Sequence, residues 1–211
     1  MKWKSLERPL QAPKQLLVEG RTPEIFFREW IEALGLKAQM EVRDFLSISD
    51  LPDFLRLLTT LKEFKESVVS VGIIRDAEDR PAVEAFASVC SSLRAANLPS
   101  PGTLGAVGSG TPRTGVFVLP DCRQPGMLET LCWRVLKGSP ELGSRLECVE
   151  GYLDCLRRIK VDLPNEAKAR VWAYLAAQGR FDPLVGRAAQ AKVWDWESTV
   201  LEPMTAFLKS L

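Results

Sequence analysis

Val68-Val69-Ser70-Val71-Gly72-Ile73-Ile74 is a nearly continuous apolar run rich in β-branched residues. A strand with one wet face alternates apolar and polar side chains, so a strand without alternation has to be covered on both faces. That requirement calls for helices on each side of a sheet. A chain of 211 residues is long enough to supply them around one sizeable core.

Strand-like and helical runs alternate along the chain. Gln15-Leu16-Leu17-Val18 reads as the first strand. After it Thr22 is placed to cap a helix, with Pro23 at the first helical position and Glu24 at the positive end of the dipole. Phe26, Phe27, Trp30, Ile31 and Leu34 recur at helical spacing, and Gly35 can end the helix. Residues 39–48 form a weaker second strand. Ser49 or Asp50 caps a helix whose stripe is Phe54, Leu55, Leu58, Leu61 and Phe64.

The third strand is Val68–Ile74. Asp79 then caps a helix opened by Pro81, with Val83, Phe86, Cys90 and Leu93 on its inner side. Residues 99–115 are rich in Gly, Pro, Ser and Thr and read as a long mobile loop able to close over a substrate. Residues 114–120 make a fourth strand. The order β-α-β-α-β-α-β gives the fold class: α/β, with a mainly parallel sheet of about four strands, right-handed crossovers and flanking helices. Beyond the helix that follows Gly126 the pattern is helical to the end. Residues 1–137 are therefore expected to form the α/β domain, and 138–211 a helical C-terminal extension packed on the same core. Trp194 and Trp196 read as amphipathic anchors docking that tail.

Composition removes several function classes. Histidine is absent, which excludes Ser-His-Asp and Cys-His catalysis and most zinc hydrolase sites. The five cysteines are odd in number and include no Cys-x-x-Cys pair, which argues against a disulfide scaffold. A net charge of +1 gives no global attraction to nucleic acid, so any such surface is local. No apolar stretch approaches a membrane span, and the start lacks a signal-peptide hydrophobic region, so the cytoplasm is the expected location. No Gly-x-x-x-x-Gly-Lys-Ser/Thr motif supplies a nucleotide-binding motor.

What remains for catalysis is carboxylates with a metal, or Lys, Arg, Tyr or Cys, and of these the carboxylates stand in a pattern. The first strand ends in Glu19-Gly20, and the third in Arg75-Asp76-Ala77-Glu78-Asp79. Two parallel strands delivering carboxylates to one sheet edge make a hard oxygen-donor site suited to Mg²⁺. Clustered carboxylates without a cation repel one another, and a divalent ion turns that cost into binding energy. Arg21, Arg75, Arg80, Arg113 and Arg123 flank the same edge in sequence, either to bind phosphate or to pair with neighbouring acids.

Leu17-Val18-Glu19-Gly20 and Asp76-Ala77-Glu78-Asp79 resemble the Toprim domain of topoisomerases, primases and OLD-type nucleases. That family carries one Glu after its first strand and an Asp-x-Asp pair after its third; here the pair is Asp76-x-Glu78. The resemblance covers roughly the first two-thirds of the chain. The chain is also similar to small uncharacterised bacterial Toprim-like proteins with a helical tail and an aromatic motif like Val193-Trp194-Asp195-Trp196.

The resemblance implies a Mg²⁺- or Mn²⁺-dependent phosphoryl-transfer enzyme, a nuclease on nucleic-acid phosphodiesters, with Glu19, Asp76 and Glu78 as catalytic metal ligands. Glu129 corresponds to a later acidic residue of OLD-type nucleases. It stands at the border of the stripe Leu128, Leu131, Cys132 and Val135, either as a helper ligand or solvated. The alternative is a non-catalytic Toprim-like module that binds a protein or nucleic acid in a bacterial defence or repair system.

Overall fold

A computed structural model describes residues 3–211. Four parallel strands, β1 (Lys14–Val18), β2 (Met40–Asp44), β3 (Ser70–Asp76) and β4 (Arg113–Leu119), form one sheet in the order β2-β1-β3-β4. The chain moves from β1 to one side, then returns to the other side of β1 for β3 and β4. The order therefore reverses between β1 and β3, and open α/β sheets bind ligands in the crevice at such a point, outside the carboxyl ends of the strands.

The uninterrupted apolar runs are explained by two cores. On one face Leu16, Val18, Ile74, Phe117 and Leu119 pack under α1 (Arg21–Ala33), α5 (Leu128–Lys137), α7 (Glu166–Ala176), α8 (Val185–Gln190) and α9 (Glu202–Ser210). On the other face Leu17, Val71, Ile73, Val116 and Val118 pack under α2 (Leu51–Thr60), α3 (Lys62–Ser67) and α4 (Ala82–Ala95). The remaining helix, α6 (Gly143–Arg158), lies outside α5 and α7 and buries only Leu146 and Leu153.

Residues 138–211 are part of the first core. Gly72 and Gly115 stand side by side in register across β3 and β4. A methyl group on Gly72 would lie 2.5 Å from Leu211, and one on Gly115 would lie 2.8 Å from Phe207. The paired glycines thus leave the notch that seats α9. Trp194 is buried, with its indole N–H donated to the Val185 carbonyl at 3.0 Å, and Trp196 stacks on Trp30, so both tryptophans anchor the tail.

Several local expectations are corrected. The first helix begins at Arg21 behind Gly20, and Thr22 is not its cap. The stripe from Phe54 to Phe64 is broken at Leu61, whose extended ψ of 138° separates α2 from α3. Asp79 is exposed and α4 starts after Pro81 without a side-chain cap; Val83 points to solvent while Val89 takes the inner place. The glycine-rich loop is tied to β4 by Gly105 N–H to the Val116 carbonyl (2.9 Å), Gly108 N–H to the Thr114 carbonyl (2.7 Å) and Thr114 Oγ1 to the Pro99 carbonyl (2.8 Å). It covers the outer edge of the sheet, where an unpaired strand invites aggregation, rather than standing free as a lid.

Candidate functional site

Each parallel strand ends in a carboxylate within two residues: Glu19 after β1, Asp44 at the end of β2, Asp76 at the end of β3 and Asp121 after β4. The weak pattern of β2 hid Asp44 from the sequence reading. Three of the four are well occupied. Asp44 Oδ1 accepts the N–H groups of Gly20 (2.7 Å) and Leu46 (2.6 Å), closing the turns beside it. Asp121 accepts from Arg123 and Gln124 N–H and from the Arg134 guanidinium; those bonds hold its carboxyl below the usual range despite the cost of partial burial. Glu19 accepts the Ile48 N–H at 3.1 Å and forms an ion pair with Arg75 across the switch point.

Asp76 is different. Its Oδ1 accepts one N–H, from Leu128 at the start of α5, at 3.0 Å. Among the described residues it makes no ion pair. Glu129, one residue further into α5, is 8% exposed and also makes none. Burial, and then the charge of Glu129, push the Asp76 carboxyl up to about 7; the Leu128 N–H, Arg75 and Lys168 pull the other way. Burial likewise raises Glu129 above the usual carboxylate range, opposed in part by Lys168. Lys168 stands in the first turn of α7, a helix whose Asn165 caps it by accepting the Lys168 N–H at 2.9 Å. Nothing in the sequence pairs Lys168 with Asp76, because the charge of Lys168 acts on Asp76 only once α7 docks beside α5.

The predicted residues separate into two groups. Strand alternation sends Glu19 and Arg75 to the α2 side, where Glu19 accepts the Ile48 N–H and pairs with Arg75, and Asp76 to the α5 side with Glu129. Glu78 is exposed. Its backbone, at φ 55°, exchanges hydrogen bonds with Gly126 at 2.8 and 2.7 Å and clips the loop after β3 to the loop before α5. A pocket of about 330 Å³ opens there, bounded by Glu78, Asp79, Gly126, Met127, Thr130 and Asn165. Among the described residues no three carboxylates stand together as a ready cage for an ion. Of the proposed donors, Asp76 and Glu129 fit a hard divalent cation, because they are acidic, mutually repelling and without an ionic partner. Glu19 and Glu78 do not join them in this arrangement.

Three of the five flanking arginines are taken up by groups of the fold itself. Arg21 pairs with buried Glu24, Arg75 with Glu19, and Arg113 reaches the carbonyl of Ser210 at 3.3 Å and that of Leu211. A larger groove of about 570 Å³ runs beside β2, between Arg8, Arg28, Lys37 and Glu41, away from the Asp76–Glu129 pair. Among the described residues no helix is long and apolar enough to cross a membrane.

The family described as "Protein of unknown function (DUF3226)" matches residues 13–211, and the chain belongs to it. No curated protein and no solved structure matches the chain.

Proposed function

We propose that this member of the DUF3226 family is a Mg²⁺- or Mn²⁺-dependent phosphoryl-transfer enzyme, a nuclease on nucleic-acid phosphodiesters acting in the cytoplasm. The observation that carries the reading is the meeting of Asp76 and Glu129, two carboxylates without an ionic partner, at the carboxyl end of a central strand beside the switch point. Asp76 and Glu129 would hold the ion, with Glu78 on the rim of the adjoining pocket. A divalent ion bound there supplies charge to polarise a phosphoryl oxygen and to activate water. Arg75 and Lys168 are the cations acting on Asp76, suited to hold a phosphate against the same edge. Glu19 then serves as the group that orients Arg75.

The test is cleavage of single- and double-stranded DNA and RNA with and without Mg²⁺ or Mn²⁺. Asp76→Asn and Glu129→Gln keep size and remove charge, and each is expected to lower the rate on the order of a thousandfold. Thermal stabilisation by the metal should disappear in both variants. Cleavage unchanged in both would reject the site.

The second reading is a non-catalytic Toprim-like module binding a protein or nucleic acid in a bacterial defence or repair system. The Glu19–Arg75 ion pair favours it, because the strand-end acid of the Toprim-like motif is already neutralised. A parent protein that neither binds metal nor cleaves any of these substrates would decide for the module.

A further inference from the structure

Between α6 and α7 lies a groove of about 720 Å³ whose lining carries hydrogen-bond donors and no acid. The two helices run antiparallel: Arg157 pairs with Glu166, and Arg170 with Glu150. In that register Arg145, Gln178 and Arg180 gather at one end of the groove, Val149 and Tyr174 lie midway, and Tyr152 stands at the other end. Arg157 and Arg170 are thus neutralised within the hairpin, whereas Arg145 and Arg180 make no ion pair among the described residues. Tyr174 is the second departure. It is 5% exposed, packs in the core, and makes no hydrogen bond through its hydroxyl among the described residues. That hydroxyl is not sealed in like the orphaned polar atoms of Trp30, Ser70 and Trp133, so it opens into the groove that Tyr174 lines. A buried tyrosine normally finds its O–H a partner. Here the partner has to come from whatever enters the groove.

We propose that this groove binds a nucleoside monophosphate. Two guanidinium groups without a counter-charge at one end match a phosphate dianion, and Gln178 adds an amide donor beside them. Along α6 the step from Arg145 to Tyr152 spans about 10 Å, which leaves room behind the phosphate for a sugar and a flat base. Tyr152, 55% exposed, has a ring free to stack on that base, and such stacking accepts any base. The Tyr174 hydroxyl stands midway, where the sugar would lie, and can bond one of its hydroxyls. An aliphatic carboxylate would carry too little charge for both arginines and would leave Tyr174 unpaired, so the donors favour the nucleotide. The volume is within the range of small-molecule sites. The groove shares no lining residue with the pocket beside Asp76 and Glu129. The proposal does not rest on the phosphoryl-transfer reading, since binding here needs neither metal nor cleavage.

Calorimetric titration of the full chain with AMP, in EDTA, should show saturable binding with a Kd of about 1 mM or below. Adenosine, inorganic phosphate and decanoate should each bind at least roughly tenfold more weakly. Arg145→Gln and Arg180→Gln should each weaken AMP binding roughly tenfold, and Tyr152→Ala should weaken it several-fold. Tyr174→Phe removes a hydroxyl that bonds nothing in the fold, so the melting temperature should stay with the parent while AMP affinity falls several-fold. Arg158→Gln, on α6 outside the groove, should leave binding unchanged. Asp76→Asn should leave it unchanged as well, which separates this site from the metal pair. In a Cys155→Ser background, AMP should slow alkylation of Cys148, an exposed residue of the groove's lining, as mapped by peptide mass spectrometry. No saturable binding of AMP, adenosine or decanoate binding as tightly as AMP, an affinity indifferent to Arg145→Gln, Arg180→Gln and Tyr174→Phe, loss of binding in Asp76→Asn, or an unprotected Cys148 would each overturn the proposal.

Discussion

Arg43 and Asp76 are charged side chains on neighbouring parts of one sheet, and their surroundings are opposite. Arg43, on edge strand β2, is 2% exposed. Its guanidinium donates to Gln15 Oε1 (2.9 Å), Glu41 Oε2 (2.7 Å) and the carbonyls of Ser5, Arg8 (3.0 Å) and Pro9 (2.8 Å). Asp76, on central β3, accepts one N–H and faces another carboxylate. A buried charge with every donor used pins structure, here the segment before β1. A carboxylate left with one donor and a like charge beside it costs stability, and such unbalanced groups gather where chemistry is done. The contrast separates scaffold from site within one sheet.

The largest effect expected from this contrast is at Arg43. Arg43→Met keeps much of the volume but leaves Glu41 and the carbonyls of residues 5–9 without their shared donor. Removing one partner of a buried ionic network costs about 3–5 kcal/mol. Chemical denaturation should report that loss, and proteolysis should find the chain before β1 newly accessible. A cost near zero would show that the N-terminal segment does not depend on Arg43, and the scaffold half of the contrast would fail.

Asp76→Asn should act in the other direction. The folded protein holds the Asp76 proton up to about pH 7, whereas the unfolded chain releases it near 3.8, the ordinary value for an aspartate. Between those values the folded state binds more protons, so its stability falls as pH rises and stays lowered above 7. Asn has no proton to lose and its side-chain oxygen can still accept the Leu128 N–H. The variant should therefore match the parent near pH 3.5 and gain on it through pH 4–7. At pH 8 the gain is bounded at about 4 kcal/mol, from roughly three pKa units at 1.36 kcal/mol each. Denaturant midpoints at several pH values measure this. Added Mg²⁺ should narrow the gap by stabilising the parent alone. A gap independent of pH would mean that Asp76 is an ordinary ionised side chain.

The same contrast explains what the sequence made legible. Apolar runs at β1, β3 and β4 disclosed a doubly covered parallel sheet, because burial on both faces leaves few choices of residue. The strand-end acids were visible for the same reason: a charge that stops an apolar run marks where the strand leaves the core. Which face each acid takes depends on a one-residue phase, since Glu19 continues the alternation of Leu17 and Asp76 that of Ile74. The alternation of apolar residues along β1 and β3 carries that phase, and it sends the two acids to opposite faces of the sheet. Lys168 and Arg43 belong to a harder class. Lys168 is 92 residues from Asp76 and Arg43 is 28 from Gln15, and only the docking of α7 and the pairing of β1 with β2 bring them near each other. Helix caps at Thr22 and Asp79 failed because Gly20 and Pro81 set the helix starts through the backbone alone.

The smallest effect on stability, and the sharpest on the site, is expected from Glu19→Gln. Gln keeps the acceptor for the Ile48 N–H and loses only the charge that meets Arg75. Both side chains of that pair are partly accessible, at 12% and 27%, so screening by water holds the loss to about 1 kcal/mol. If Glu19 acts through Arg75, Mg²⁺-induced stabilisation should survive the substitution. Cleavage should fall by roughly tenfold to a hundredfold, less than for Asp76→Asn, because the guanidinium remains but is no longer held. If Glu19 is instead a ligand of the ion, as in the Toprim-like pattern, Glu19→Gln should abolish both metal stabilisation and cleavage as completely as Asp76→Asn. Parallel melting curves and rate measurements on the two variants thus decide whether the Asp76–Glu129 pair stands alone or draws in the acid across the switch point.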